Sequence, residues 1–299
     1  MVVIKENDKM KHLFAFLSAI LLLSACSKSS DGDEVIVDPD FYPTITNTGK
    51  LLSIDGSRMH IAYSYDEMGR VTYAEQFDTT WYIVKKIGEY RYDANRIYIS
   101  FMEFEEKLNG ERNSAYSGEY VRDDTLFLIG GRVDSCAGAM KTSLNSFFYK
   151  FRYNEQGELI YVKDDNVHRD RKGKLEVKPW YTEIYLLEWQ DGNVLRRTSI
   201  DPIHRDTTIC DYRYSSLTGS FVLNDPRNVL YDFVPLMQSG YFGKSCKNLS
   251  GGLEAKNFTE QTNYMLDEQG MVSQMKSNVI WDDGVSHNYE YSIRWDRCD

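Results

Sequence analysis

The chain has 299 residues with 45 acidic against 35 basic side chains, a net charge of −10 that repels nucleic acid. Hydrophobic residues make up 42 % and aromatic rings 14 %, enough to bury a real core in one large all-β domain or two smaller ones. The one basic cluster, His168 to Lys174, is short and sits between strand-like runs, so it reads as a solvated hairpin tip rather than a nucleic-acid surface.

In chain order, the first readable element begins at Met10 with "MKHLFAFLSAILLLSAC": a basic start at Lys11, an apolar run from Leu13 to Leu23, then small residues and a cysteine. A bilayer-spanning helix needs ~20 apolar residues, so the shorter run predicts a secretory signal peptide over residues 1–25. The preceding "MVVIKENDK" mixes acids with bases and makes a poor leader, which points to Met10 as the true start. The sequence Leu23-Ser24-Ala25-Cys26 resembles the lipobox of bacterial lipoproteins. That resemblance implies cleavage before Cys26 and lipidation of its sulfur; the other reading is an ordinary signal peptide with a chance cysteine. Loss of residues 1–25 leaves the mature chain one unit more negative. Several acyl chains on one cysteine suffice for stable attachment without a spanning helix.

Residues 26–48 then read as an acidic tether, opening "CSKSSDGDEVIVDPD". Acid-rich, Ser-rich sequence stays solvated. The stretch also resembles the export signal of Bacteroidota lipoproteins, which implies an anchor in the cell outer membrane with the body facing the exterior.

From residue 49 to 299 the dominant signal is period-two alternation broken by turn residues. Ile61, Tyr63 and Tyr65 alternate with polar neighbours, "DEMG" intervenes, and Val71 and Tyr73 resume the pattern. Asp66 initiates a type I turn and Gly69 takes the left-handed position, so the segment is a β-hairpin. The same grammar recurs at Tyr90, Phe151, Leu187, Tyr212 and Tyr264, with anchors at Tyr65, Tyr92, Tyr153, Trp189, Tyr214 and Leu266, and with "YVRDDTLFLI" from Tyr120 filling a gap. The copy at Tyr90 lacks glycine, leaving Asn95 to adopt the left-handed conformation. Hairpins this short must lie side by side. The expectation is an all-β antiparallel meander rolled into a strongly curved sheet or barrel-like single domain. Residues 225–250 break the alternation and predict a long loop, with a helical turn near Val229 to Phe233. Charges in most of the strand-like runs argue against a membrane-spanning barrel.

Outside the cytoplasm, Cys136, Cys210, Cys246 and Cys298 could form two disulfides, in any of three connectivities, or remain buried thiols. No Cys-x-x-Cys or other metal-ligand spacing occurs, and His60, His168, His204 and His287 are scattered, so neither metal nor cofactor is expected. Phosphate-loop, nucleophile-elbow and zinc-helix motifs are missing as well. Acid pairs at Glu103 and Glu105, at Asp164, or at Asp282 could serve a glycosidase, but solvated edge and turn charges account for them, and the reading is of a non-enzyme.

The stretches "LEWQDGNVLRR", "YRYSSLTGS" and "GYFGKSCKNLSGG" (Gly240 to Gly252), followed by "LDEQGMV", resemble a Bacteroidota lipoprotein family of unknown function with a porin-like fold. The hairpins individually are similar to the YD repeats of RHS-type shell proteins. The resemblance runs from Gly49 to the C-terminus and is strongest after Trp180; it departs at Ser250, where a proline is expected. It implies a rolled sheet and surface-lipoprotein status and carries no catalytic residues.

The aromatic surplus is the best functional hint, because ring faces stack on sugars. Trp81, Trp180, Tyr181 and Trp281, near predicted loops, are the candidate ligand contacts. The leading expectation is a surface protein that captures glycan or another polymer on its curved sheet. The alternative is a structural or adhesion protein of the envelope contacting another protein.

Overall fold

In a computed structural model, the chain is described at residues 50–57, 59–78, 83–106, 120–141, 145–169, 175–218, 221, 223, 225–227 and 233–296. Sixteen strands run in sequence order, each antiparallel to the next. They are β1 (Lys50–Gly56) and β2 (Met59–Tyr65), β3 (Val71–Asp78) and β4 (Ile83–Asp93), β5 (Arg96–Glu106) and β6 (Tyr120–Ile129), and β7 (Arg132–Met140) and β8 (Asn145–Tyr153). There follow β9 (Leu159–Arg169) and β10 (Leu175–Gln190), β11 (Asn193–Asp201) and β12 (Asp206–Thr218), β13 (Asn248–Ala255) and β14 (Phe258–Leu266), and β15 (Val272–Trp281) and β16 (Ser286–Asp296). The meander closes: β1 pairs with β16 from Lys50↔Asp296 to Gly56↔Tyr291. Closure removes both sheet edges, the usual liability of a long meander.

Alternation sorts each strand into an inner and an outer face. On β5, Ile97, Ile99 and Phe101 are buried while Tyr98 and Ser100 face outward. The outer wall mixes exposed hydrophobics, Phe148, Leu186 and Ile209, with ion pairs. Lys276 pairs with Glu290 at 2.8 Å, Arg196 with Asp211 at 2.6 Å and Lys141 with Asp123 at 2.9 Å, all exposed.

The barrel has two unlike ends. At one, the turn end, even strands pass to odd strands, through tight connections except between β12 and β13. Three of these share one geometry: the side chains of Asp66, Asn154 and Asp267 accept from amides four residues on, and Gly69, Gly157 and Gly270 sit at φ 78°, 81° and 79°. Asp191 and Gly192, at φ 52° and 79°, make a two-residue turn of the type that matches strand twist. Asn95 does not take the left-handed conformation expected of it; among the described non-glycine residues only Asp191 and Arg205 have positive φ. The Ala94–Asn95 connection instead closes with ordinary dihedrals, and the Asn95 carbonyl accepts from the Leu128 amide at 2.9 Å.

The recurring aromatic anchor has a specific task at this end. Tyr65 Oη donates to the Leu51 carbonyl at 2.6 Å, and Tyr92, Tyr153 and Tyr214 donate to the carbonyls of Val71, Val133 and Val194 at 2.8 Å. Trp189 and Trp295 use their indole N–H in the same way, on Leu159 and Val272, both at 2.8 Å. Each ring near the end of an even strand thus fastens to the start of the odd strand before it. The anchor of the β14 hairpin is Tyr264, which donates to the Ser250 carbonyl at 2.8 Å, and not Leu266. A register shift between Met265 and Leu266 leaves Leu266 exposed.

The "YRYSSLTGS" segment does not form a tight hairpin. Tyr214 keeps its anchoring bond, but β12 continues to Thr218, and the connection to β13 is the long segment 219–247. The long loop therefore ends before Asn248 rather than at residue 250. Its helical turn is α1 (Val234–Gln238), with Pro235 in the first turn, where a missing N–H costs nothing. Most of the turn expected at Val229 to Phe233 lies outside the described residues.

This segment is a plug. Phe233, Leu236, Met237 and Phe242 are fully buried, Phe233 stacks on Phe242 at 5.8 Å, and Phe242 meets Phe151 of β8 edge-on at 5.1 Å. Tyr241 stacks on the anchor ring of Tyr92, and its carbonyl accepts from the Val133 amide. Backbone bonds from Lys244 to Gly157 and from Lys247 to Gly192 tie the plug to two turns. The turn half of the lumen is thus packed with rings.

Cys136, Cys210 and Cys246 are buried and not bonded to one another, so the disulfides considered from sequence do not form among these three. They sit on β7, on β12 and in the plug, where apolar packing accounts for them. Cys298 lies outside the described residues, as do Cys26, the signal peptide and the tether.

Candidate functional site

Above the plug, toward the end where odd strands pass to even ones (the loop end), the lumen holds a cavity of ≈ 530 Å³. Its walls come from β2–β5 and β11–β16, and its floor from Leu223, Asp225, Val234 and Pro235 of the plug. The strand positions fix its depth: Met59 and Ile61 belong to the loop half of β2, Tyr63 lies just past its middle, and Met275, Ser277 and Val279 run toward the loop end of β15.

The lining mixes rings with polar groups. Tyr63, Tyr90, Phe101, Tyr212, Tyr289 and Tyr291 supply aromatic faces, and Gln76, Lys86, Arg197, Ser250, Glu260 and Ser277 supply donors and acceptors. Glu260 accepts from Ser277 Oγ at 2.6 Å and from Thr262 Oγ1 at 3.3 Å, so the carboxylate is held in place on the wall. Lys86 sits over the Phe101 ring at 5.2 Å. The Tyr63 hydroxyl, on a ring only 7 % exposed, has no hydrogen-bond partner among the described residues, and burial raises its pKa far above the usual phenol value.

The floor is fixed by a buried ion pair. Arg227 contacts both carboxylate oxygens of Asp225 at 2.5–3.1 Å, and its other donors reach the carbonyls of Gly243 and Lys244 at 3.1 and 2.6 Å. This network is saturated, which is the condition under which a buried pair holds a loop in one conformation. Cys246 packs beside it, with Sγ 3.6 Å from Tyr214 Oη, and burial pushes its thiol up to about 12.

Of the residues singled out from sequence as ligand contacts, Trp281 is the one whose side chain is described, and it is not among the residues that line the cavity. On β15 it continues the inward series Met275, Ser277, Val279, and its partner Phe258 likewise continues the series of Glu260 on β14. The two rings meet tilted at 43°, with centroids 5.0 Å apart, at the loop end, and Trp281 is 41 % exposed. They lie one inward position beyond Val279 and Glu260, the last lining residues of their strands. Trp81 lies outside the described residues, as do the side chains of Trp180 and Tyr181 in β10.

The residues that sequence reasoning missed are Glu260, Lys86 and Tyr289. They face inward by alternation, but only the closure of the barrel brings β4, β14 and β16 around one space.

Of the acids considered from sequence, Glu103, Asp164 and Asp282 do not line the cavity, and the side chain of Glu105 lies outside the described residues. Asp164 faces inward on β9, opposite Glu183 of β10, on the far wall. Burial, then the charges of Glu183 and Asp165, push the Asp164 carboxyl up to about 7, against a lowering by Arg122. Asp282 lies in the exposed β15–β16 connection. His60 pairs with Asp55 at 2.5 Å and His204 with Asp201 at 2.6 Å, away from the lumen.

No protein-family model matches the sequence, and none of the curated proteins does. Two solved structures are similar in fold. One is a porin-like protein from Bacteroides uniformis ATCC 8492, with a TM-score of 0.55 and 14 % identity over 87 % of this chain and 100 % of that one. The other is a porin-like protein from Bacteroides vulgatus ATCC 8482, with a TM-score of 0.51 and 8 % identity over 82 % of this chain and 97 % of that one. At such identities the likeness shows the fold: an antiparallel meander closed into a sixteen-stranded, porin-like barrel.

Proposed function

We propose that the protein is a lipid-anchored outer-membrane lipoprotein, facing the exterior, whose barrel binds a small saccharide or the end of a glycan without chemical conversion. The observation that carries this reading is the ≈ 530 Å³ cavity, walled by rings and by polar side chains on several strands. That volume lies within the roughly 300–1,000 Å³ of small-molecule sites. Sugars present an apolar ring face and a hydroxyl edge, and a lining of Tyr289, Tyr291, Glu260 and Ser277 matches both. Trp281 and Phe258, one inward position beyond the lining, supply a stacking platform for a unit outside the cavity.

The charged pairs on the outer wall support a barrel standing in water. A Lys or Arg at the middle of a lipid-facing strand costs about 2–4 kcal/mol, and Lys276 and Arg196 occupy such positions. Attachment then falls to the Cys26 lipid.

A glycan array probed with the chain from residue 27 onward tests the reading. Binding to a defined subset, weakened at least tenfold by Trp281→Ala and by Glu260→Gln, is the expected result. Silence across host and dietary glycans, or binding indifferent to both changes, would contradict it.

A further inference from the structure

We infer that the turn end of the barrel rests on the lipid surface and the cavity mouth faces away from it. The three most exposed large hydrophobic side chains of the described chain are Met68 at 75 %, Ile129 at 67 % and Met265 at 54 %. All three stand at turn-end connections, at β2–β3, β6–β7 and β14–β15, on separate parts of the circumference. Leu266, Leu195 and Leu52 add to this end near the termini of β14, β11 and β1, whereas the exposed hydrophobics of the loop end, Val285, Ile280 and Trp281, gather at the single β15–β16 connection. The most exposed apolar tips, distributed around one end of the barrel, mark an interaction surface.

The course of the chain selects the occupant. β1 starts at this same end, at Lys50, so the segment that leads back to Cys26 joins the barrel there. Residues 27–49, at ~3.5 Å each, could span at most about 80 Å, so the length of this segment does not by itself select which end of the barrel meets the membrane. The apolar tips choose among the orientations that the tether allows. Glu67 and Glu268, exposed beside Met68 and Met265, limit the depth to the headgroup layer, in the manner of an interfacial anchor. The loop end, with Trp281 and the mouth, is then presented to solvent.

This inference rests on the lipid anchor proposed above for its attachment, and the experiment separates the two. Met68→Cys, Ile129→Cys and Val285→Cys are each made in a Cys298→Ser background; the remaining body thiols, Cys136, Cys210 and Cys246, are buried. The lipidated proteins carry an environment-sensitive fluorophore and are reconstituted in phosphatidylethanolamine–phosphatidylglycerol vesicles with brominated acyl chains. The expected result is a blue shift and bromine quenching at positions 68 and 129, with neither at position 285. Quenching at 285 alone, equal quenching at all three, or quenching at none would overturn the orientation. Palmitate incorporation at Cys26, scored on the same samples, reports on the anchor separately.

Discussion

Single side chains show how narrow the tolerances of the barrel are. Gly252 has φ 131°, and a Cβ there would lie 2.0 Å from the Glu260 carbonyl oxygen. Gly252→Ala is therefore expected to part β13 from β14, seen as a loss of several kcal/mol in urea unfolding and as loss of the cavity wall. Asp164 gives a pH signature. Its carboxyl titrates near 7 in the fold, against an ordinary 3.8, so the fold prefers it protonated. Its contribution to stability is complete below about pH 4 and is lost as pH rises toward 7. Asp164→Asn is expected to match the parent at pH 4 and to exceed it by about 2–4 kcal/mol at pH 8. Denaturation curves at the two pH values check this, and a gap that fails to widen with pH would rule it out. Cys136, Cys210 and Cys246 are buried, and Cys246 is held protonated. All three should resist Ellman's reagent in the native protein and react together on unfolding.

At the scale of the element, the hairpin and the plug divide the work of closing the turn end. Each anchor bond satisfies a carbonyl at a strand start, so Tyr153→Phe should cost about 1 kcal/mol, the net worth of one such hydrogen bond. The plug depends on Asp225 and Arg227. Arg227→Met leaves a buried carboxylate unpaired and is expected to cost about 3–5 kcal/mol, and ligand binding should fall with it because Asp225, Val234 and Pro235 form the cavity floor. The double change Asp225→Asn with Arg227→Met should be milder than Arg227→Met alone, as a double-mutant cycle would show. The hairpins were legible in the sequence because their causes are local: alternation at Ile61, Tyr63 and Tyr65, an Asp to start the turn, a glycine to end it. Leu266 was misread as an anchor because the bulge that exposes it depends on pairing with β15. The plug was legible only as a break in the pattern. Phe233 and Phe242 find Tyr149 and Phe151 more than 80 positions away, and no local period announces such contacts.

For the whole molecule, the number of strands and the closure of β1 on β16 decide what the inner rings can do. An open curved sheet would offer them as a surface, whereas the closed barrel turns them into core on the plugged side and cavity wall on the other. The aromatic content visible in the sequence therefore serves both packing and the site, and only the position along each strand separates the two. Trp281 is legible in the sequence as a strand-end tryptophan but does not line the cavity; Glu260 and Lys86 do, and nothing in their own strands says that β4 and β14 face one space. The most direct measurement is a diffraction map of the chain from residue 27 grown with its best-binding glycan. The account predicts sugar density above Val234 and Pro235, between Tyr289 and Glu260, with a further unit on Trp281. Sugar density confined to the outer wall, with the lumen holding only water, would contradict it.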